Sequence, residues 1–245
     1  IAVTGSTTVL PIAESEREAF EAKFSDADIK ISGGGSSVGI KAVGEGTADI
    51  GMSSRDLKPE EVALYPDIVR HEIARDAIIL IVNQQNPVDH LTLDQIRGIF
   101  NGTYANWNQV GGSDLPIVVV GRDSASGTRE YFWESVMKKG NFTSRQEEFN
   151  SNGGIQQKVS RTPGAIGYVG LGYTSGVKAL HLQVDGTSVE PTLETIRDGR
   201  YPLSRPLFLL TKGQPGGLAK EYIDFILSDE GQEIVARAEY IPLPS

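Results

Sequence analysis

Glycines and small hydroxyl-bearing residues gather at three places where a strand-like pattern gives way to a helical one. These are residues 4–8 (Thr-Gly-Ser-Thr-Thr), 33–37 (Gly-Gly-Gly-Ser-Ser) and 124–128 (Ser-Ala-Ser-Gly-Thr). The first turn of a helix carries a partial positive charge and N–H groups without intrahelical partners, so it attracts an anion. Glycine lets the anion approach, and hydroxyls add donors that can rotate. Ser and Thr also cap helices routinely, so each segment alone indicates little, but three together favour an oxyanion site.

An arginine precedes the third segment and strengthens this interpretation. Arg122 follows an apolar run and stands just before Ser126, Gly127 and Thr128. A guanidinium can bind a tetrahedral oxyanion through two parallel N–H···O bonds while the helix start donates beside it. The alternative is an ordinary surface ion pair between Arg122 and its neighbour Asp123, which would contribute little energy.

Strand-like and helix-like stretches alternate along the chain and would position these segments. Apolar runs typical of strands occupy residues 1–4, 29–32, 48–52, 77–82, 117–120, 165–168 and 207–210. Helical patterns occupy residues 12–24, 38–43, 93–100, 128–137, 155–159, 193–197 and 217–238, the last broken near 228–231. Continuous apolar strands suit a parallel sheet covered on both faces, so we predict an α/β fold.

The composition limits the classes of function. The chain has 245 residues, 39% of them hydrophobic and 22% charged, with 23 basic against 32 acidic side chains and no cysteine. The net charge of −9 and the absence of a Lys/Arg cluster argue against a nucleic-acid partner. Without cysteine, disulfides, thiolate zinc sites and cysteine nucleophiles are excluded. His71, His90 and His181 are isolated in sequence, and no ligand spacing predicts a metal site, so we expect no metal or cofactor.

Two enzyme patterns also occur in the sequence. Residues 35–39 match G-x-S-x-G between a strand and a helix, which would make Ser37 the nucleophile of a serine hydrolase. The natural base would be His181, but it lies in a run that is typical of a strand rather than a catalytic loop. The glycines at 121 and 127 suggest a phosphate-binding P-loop, but the spacing is one residue too long and the Lys–Ser/Thr pair is missing.

A set of landmarks in chain order resembles the phosphate-binding proteins of Pst-type ABC transporters. The landmarks are residues 4–11, the Gly-Ser-Ser-x-Gly at 35–39, Ala-Asp-Ile-Gly-Met-Ser-Ser-Arg at 48–55, Asn-Trp-Asn-Gln-Val-Gly-Gly at 106–112, Arg122 with Ser-Gly-Thr at 126–128, and 162–169. The resemblance covers nearly the whole chain. It implies a two-lobed type II periplasmic-binding-protein fold that closes on one phosphate by a hinge motion and performs no catalysis.

The resemblance, with the absence of a flexible linker, also implies domain bounds and site residues. Lobe I would comprise residues 1–82 and 206–245, and lobe II the inserted residues 83–205. The family's phosphate contacts fall on Thr7, Thr8, Val9, Ser36, Ser54, Arg122, Ser126, Gly127 and Thr128. The expected partners are inorganic phosphate and the permease subunits of an ABC transporter. The resemblance further implies a monomer in an extracytoplasmic location, with any lipid anchor lying before Ile1.

One departure from the family pattern concerns selectivity. Many members place an aspartate, which accepts the proton of bound phosphate, where this chain has Ser54. Sulfate carries no proton at neutral pH, so a carboxylate facing it repels it, whereas a serine can donate as well as accept. Binding of another tetrahedral oxyanion such as sulfate therefore stays open, and Asp56 and Asp123 are alternative proton acceptors. The neighbouring Arg55 would either add positive charge to the cleft or pair with Asp56.

Overall fold

The computed structural model describes residues 1–124 and 126–245. In chain order the elements are β1 (Ala2–Gly5), α1 (Leu10–Lys23), β2 (Lys30–Gly33), α2 (Ser36–Gly44), β3 (Ile50–Ser53), α3 (Pro59–Leu64), β4 (Ile68–Ala77), β5 (Ile79–Val82), β6 (His90–Thr92), α4 (Leu93–Phe100), β7 (Val118–Arg122), α5 (Gly127–Ser135), β8 (Glu147–Phe149), α6 (Asn152–Arg161), β9 (Ala165–Val169), β10 (Lys178–Ala179), β11 (His181–Val184), β12 (Thr187–Val189), α7 (Leu193–Arg197), β13 (Ser204–Lys212), α8 (Gly217–Leu227) and α9 (Asp229–Arg237). The predicted α/β class is confirmed.

The chain forms two compact units, the first comprising Ile1–Asp76 with Arg205–Ser245 and the second comprising Ala77–Ser204. The first crossing therefore lies at 76/77 rather than at the predicted 82/83, and the second lies at 204/205 rather than 205/206. The strand β5 accounts for the first difference because it pairs with β9 and β10 of the second unit. No glycine or proline separates β5 from the end of β4, so the sequence offers no break at the crossing.

The first unit is built on one sheet with helices on both faces. Its strand order is β2-β1-β3-β13-β4, with β1 parallel to β2 and β3, and β13 antiparallel to β3. Side chains alternate between faces along a strand. Ile50 and Met52 of β3 join Phe20 of α1 and Tyr222 of α8 in one apolar cluster. Gly51, between them, faces α2, where an added Cβ would lie 2.7 Å from a backbone oxygen of that helix.

The second unit contains two sheets. One has the order β10-β5-β9-β7-β8 and the other the order β12-β11-β6. The first is mixed, because β7 runs parallel to β8 and β9 whereas β5 runs antiparallel to β9 and β10. Tyr168 of β9 stacks on Phe132 of α5 with ring centroids 4.2 Å apart, and Phe100 of α4 packs edge-on against Phe132 at 4.8 Å. This aromatic core fixes the start of α5 beside the end of β7.

Candidate functional site

Two of the predicted anion-binding segments lie side by side at the carboxyl edge of the first unit's sheet. Gly35 N–H donates to Gly5 O at 2.9 Å, and Ser6 N–H donates to Met52 O at 2.9 Å. Gly5 has φ of 137°, and a Cβ there would lie 2.3 Å from Met52 O. A Cβ on Gly39 would lie 2.9 Å from Gly5 Cα. Only glycine allows this approach, so these positions bring the start of α2 against the end of β1.

Ser36 and Ser54 form a buried pair of hydroxyls at this edge. Ser36 is 3% exposed and Ser54 is 2% exposed. Ser54 N–H donates to Ser36 Oγ at 3.0 Å, and the two Oγ atoms are 3.2 Å apart. The structure thus brings together two predicted site residues that are 18 positions apart in sequence. Buried hydroxyls retain rotatable donors, which suits a bound oxyanion.

The first segment is capped by a residue that the sequence analysis did not single out. Ser6 Oγ accepts from the N–H groups of Thr8 at 3.2 Å and Val9 at 3.3 Å. The side chain of Val9 is fully buried in the apolar cluster, so only its backbone could contact a ligand. Thr7 is half-buried, whereas Thr8 is buried with its Oγ1 at the sheet edge. Of these predicted residues, Thr8 presents the most suitable donor side chain.

A buried ion pair beside Thr8 was missed by the sequence analysis. Arg205, near the start of β13, places Nη2 3.4 Å from Asp76 Oδ2 and 3.4 Å from Thr8 Oγ1. The side chains of Arg205 and Asp76 are 5% and 9% exposed. Taking two charges out of water costs free energy that their mutual attraction must offset, so removing either partner would leave the other charge buried without compensation. The partners are 129 positions apart, so the sequence carries no local signal of their pairing.

Arg55 forms its ion pair with Glu61 rather than with the predicted Asp56, of which it contacts only the backbone oxygen. Its guanidinium forms a two-pronged salt bridge with Glu61, at 2.7 Å from Nη1 and 3.2 Å from Nη2, and Nη2 also donates to Ser37 Oγ at 3.0 Å. Despite partial burial, the hydrogen bond and charge of Arg55 hold the pKa of Glu61 below its ordinary value. Asp56, the alternative partner, instead pairs with Arg70 at the surface. The charge of Arg55 is therefore largely neutralised by Glu61.

In the second unit, Arg122 ends β7 and is held by its backbone. Its N–H donates to Tyr168 Oη at 3.2 Å, and its carbonyl accepts from Arg129 Nη1 at 2.8 Å. Burial raises the pKa of Tyr168 to about 12, so this phenol stays neutral. These contacts fix where the Arg122 side chain leaves the strand.

The guanidinium of Arg122 has polar neighbours rather than a carboxylate. Its Nη1 lies 3.5 Å from Asn152 Oδ1 and its Nη2 lies 3.3 Å from Asn150 O. Both of these partners of the guanidinium are uncharged, and no ion pair to Arg122 occurs within residues 1–124 and 126–245, so the alternative pairing with Asp123 is wrong. Its Nε is buried and has no hydrogen-bond partner within that range. A guanidinium in this setting can receive an anion.

The N-cap of α5 lies four residues after Arg122. Ser126 is its N-cap, and Ser126 Oγ accepts from Arg129 N at 3.1 Å. The first intrahelical bond runs from Glu130 N to Ser126 O at 3.1 Å, so Gly127 and Thr128 lie within the first turn. Ser126 and Thr128 are both buried. Ala125 of the predicted segment lies outside the described residues.

The features needed for the alternative chemistries are missing from the described residues. Ser37 Oγ accepts from Arg55, a permanent cation that cannot act as a general base. His181 lies on β11, as the sequence predicts, and its Nδ1 is 3.2 Å from Ser188 Oγ. No group of three or more His, Asp or Glu side chains suited to a metal is found in residues 1–124 and 126–245. Within the same residues no helix is both long and apolar enough to span a membrane.

Comparison with known proteins decides the family. The model of the PBP superfamily domain matches residues 1–230. The phosphate-binding protein PstS of Bacillus subtilis is 32% identical over 99% of this chain and 80% of its own length. PstS of Borreliella burgdorferi is 32% identical over 98% of this chain and 89% of its own. The chain belongs to the PstS family of the PBP superfamily.

Solved structures of this family share the fold over the full length. An ABC-type phosphate transport receptor from Vibrio cholerae superimposes with a TM-score of 0.90 at 31% identity, covering 100% of both chains. A Clostridium perfringens protein described as a phosphate ABC transporter substrate-binding protein, solved with bound phosphate, gives 0.82 at 42% identity, covering 100% of this chain and 99% of its own. The two-lobed type II fold is thus confirmed. Members of this family are solute-binding proteins rather than enzymes, which favours binding over the hydrolase alternative.

Proposed function

We propose that this chain is an extracytoplasmic binding protein that captures inorganic phosphate and delivers it to the permease of an ABC transporter. The observation that carries the proposal is the Arg122 guanidinium, which lies beside a helix start and has no carboxylate partner in the described residues. Two parallel N–H···O bonds from a guanidinium match two oxygens of phosphate. The phosphate-bound C. perfringens relative, at 42% identity, supports the choice of ligand.

The proposed phosphate contacts are those predicted from the sequence, weighted by their geometry. In the first unit, hydroxyls of Thr8, Ser36 and Ser54 would donate, with smaller roles for the backbone at Thr7 and Val9. In the second unit the donors would be the Arg122 guanidinium, the Ser126 hydroxyl and the first turn of α5 at Gly127 and Thr128. These groups are either buried or half-buried, so their hydrogen bonds to an anion would compete little with water.

The proposal includes the transport cycle that the family name implies. Capture would proceed by hinge closure of the lobes, and the loaded protein would act as a monomer that docks on permease subunits. It would reach the membrane through that permease. The net charge of −9 is compatible with anion binding, because distant charges are screened beyond about 8 Å at physiological salt whereas hydrogen bonds act at contact.

Titration calorimetry of phosphate on protein that has been unfolded and refolded, to remove carried-over ligand, tests the proposal. Wild-type protein should bind one phosphate, and Arg122→Ala should weaken binding by about 2–5 kcal/mol, at least roughly 30-fold, because the anion loses its buried cation. Arg161→Ala is the matched control, since it removes the same charge from an exposed position at the end of α6. Equal affinities for the two variants would refute the assignment of Arg122.

A second candidate ligand is sulfate, favoured by one observation. Ser54 supplies a hydroxyl where an aspartate would repel an unprotonated dianion, and its Oγ lies 3.2 Å from the equally neutral Ser36 Oγ. Sulfate added as a competitor in the same calorimetry distinguishes the two ligands. Displacement of phosphate by equimolar sulfate would favour a general oxyanion receptor.

A further inference from the structure

Asp76 and Arg205 lie at the same sheet edge as the proposed phosphate donors of the first unit. Because β13 runs antiparallel to β3 with Phe208 opposite Ser53, residues before Phe208 continue past the carboxyl end of β3, where Ser54 lies. Arg205 occupies that extension, and its guanidinium joins Asp76 Oδ2 to Thr8 Oγ1 through one nitrogen. The carboxylate is thus adjacent to a hydroxyl proposed to contact phosphate.

The arrangement gives each group a defined role in hydrogen bonding. Thr8 Oγ1 accepts from Arg205 Nη2, so the threonine hydroxyl keeps its hydrogen for another acceptor such as an oxyanion. A neighbouring guanidinium favours the charged form of a carboxylate, and an ionised carboxylate can only accept hydrogen bonds. At this edge the donors would hold the oxygens of an anion, and Asp76 is the acceptor.

From this geometry we infer that Asp76 accepts the proton of bound phosphate and makes the site selective for protonated tetrahedral oxyanions. The inference rests on the proposed function and replaces the aspartate that is missing at position 54. Phosphate and arsenate each carry a proton near neutral pH that Asp76 can accept. Sulfate and molybdate carry none, so the buried carboxylate would face their negative charge without a hydrogen bond.

The two acceptors considered from the sequence are less suited to this role. The side chain of Asp56 is 60% exposed and pairs with Arg70. Asp123 is half-buried and does not pair with Arg122, and the hydrogen bonds of its backbone link it to Phe149 O and Ser126 N. Asp76 alone among these three aspartates combines burial with contact to a guanidinium that also touches a proposed ligand residue.

The test measures phosphate, arsenate, sulfate and molybdate affinities by calorimetry at pH 8, where phosphate and sulfate are both mainly dianions. Wild-type protein should prefer phosphate and arsenate. Asp76→Asn should lower the ratio of phosphate to sulfate affinity at least about tenfold, since a hydrogen bond to a charged group is lost and the repulsion of sulfate is removed. Asp56→Asn is the matched control and should leave the ratio unchanged.

A second variant guards against misfolding, because Asp76→Asn leaves the Arg205 charge buried without its carboxylate. The double variant Asp76→Asn with Arg205→Gln replaces the ion pair by two amides of similar size. Loss of the Arg205 cation weakens the binding of phosphate and of sulfate about equally. The ratio of the two affinities therefore still measures whether the phosphate proton is accepted. Circular dichroism and thermal melts show which variants are folded, and the ratio should fall at least about tenfold in the double variant too.

The outcomes separate this inference from the proposed function. A ratio that stays at the wild-type value in folded Asp76→Asn or in the double variant overturns the role of Asp76. A ratio that falls only in Asp123→Asn assigns the proton to Asp123 and also overturns it. If wild-type protein binds phosphate but binds sulfate equally well, the inference fails while phosphate binding stands. If wild-type protein binds no phosphate, the proposed function itself fails.

Discussion

A buried carboxyl in the first unit should make its stability depend steeply on pH. Glu16 lies on α1, which packs into the apolar cluster, and its side chain is fully buried. Neither carboxyl oxygen has a hydrogen-bond partner in the described residues. Burial, assisted by the negative charge of Glu230, raises the pKa of Glu16 from 4.5 to about 9. The folded protein therefore holds a neutral carboxyl at physiological pH.

The direction of this pH dependence follows from the different pKa values of Glu16 in the unfolded and folded protein. Unfolded Glu16 loses its proton near pH 4.5, whereas folded Glu16 keeps it up to about pH 9. Between these values the folded state binds one more proton, so the free energy of unfolding falls as pH rises, by about 1.4 kcal/mol per pH unit. Between pH 5.5 and 8 the loss would be about 3.4 kcal/mol, a large share of a typical stability of about 5–15 kcal/mol.

Glu16→Gln removes the titration while keeping the size of the side chain. Urea unfolding followed by far-UV circular dichroism at several pH values should show a slope less negative by about 1.4 kcal/mol per unit in the variant. Both tryptophans, Trp107 and Trp133, lie in the second unit, so their fluorescence provides a separate probe of that unit. Glu14→Gln, at an exposed position of α1, is the control and should keep the wild-type slope. Parallel slopes for wild type and Glu16→Gln would show that Glu16 is ionised in the fold and refute the reasoning.

Two further substitutions test the packing and the charges around the first unit's site. Gly39→Ala places a Cβ 2.8 Å from two backbone oxygens, so it should destabilise the unit by about 1–3 kcal/mol in thermal melts and weaken phosphate binding by displacing α2. Gly153→Ala is the control, because the space around its Cβ is open. Equal melting temperatures for the two variants would contradict the steric argument. Arg55→Ala should lower the melting temperature but change phosphate affinity less than about threefold, because Glu61 already neutralises this guanidinium. A loss comparable to that of Arg122→Ala in calorimetry would show instead that Arg55 acts on the ligand.

Local signals explain which elements could be predicted from the sequence. Helix α4 occupies the predicted residues 93–100, and Thr92 caps it by accepting from Gln95 N at 3.0 Å. The break between α8 and α9 was predicted at 228–231, and Ser228 caps α9 by accepting from Gly231 N at 3.2 Å. In contrast, β4 was missed because polar runs at 70–72 and 75–76 interrupt its apolar residues, and α3 was missed because it buries no residue.

The residues of the candidate site also divide into those that a local sequence signal predicts and those that no local signal predicts. Its donor segments could be found because glycine and hydroxyl residues cluster within a few positions of a helix start, as at Ser36 and Ser126. The contact of Arg205 with Thr8 joins residues 197 positions apart. Only the antiparallel placement of β13 beside β3 brings them together, and no periodicity within one segment encodes that placement.

The insertion of one unit into the other has a consequence for the order in which the chain can fold. The second unit is a continuous segment whose ends are joined by the hydrogen bond from Ile78 N to Leu203 O at 2.8 Å. The second unit is complete once residue 204 has emerged. The sheet of the first unit is not, because β13 lies between β3 and β4 and ends only at Lys212. During vectorial emergence the inserted unit can therefore become native first, while the strands synthesised earliest wait for the last forty-one residues, Arg205–Ser245. A chain truncated before residue 205 would retain a foldable second unit but would lack β13, the strand that joins β4 to the rest of the first unit's sheet.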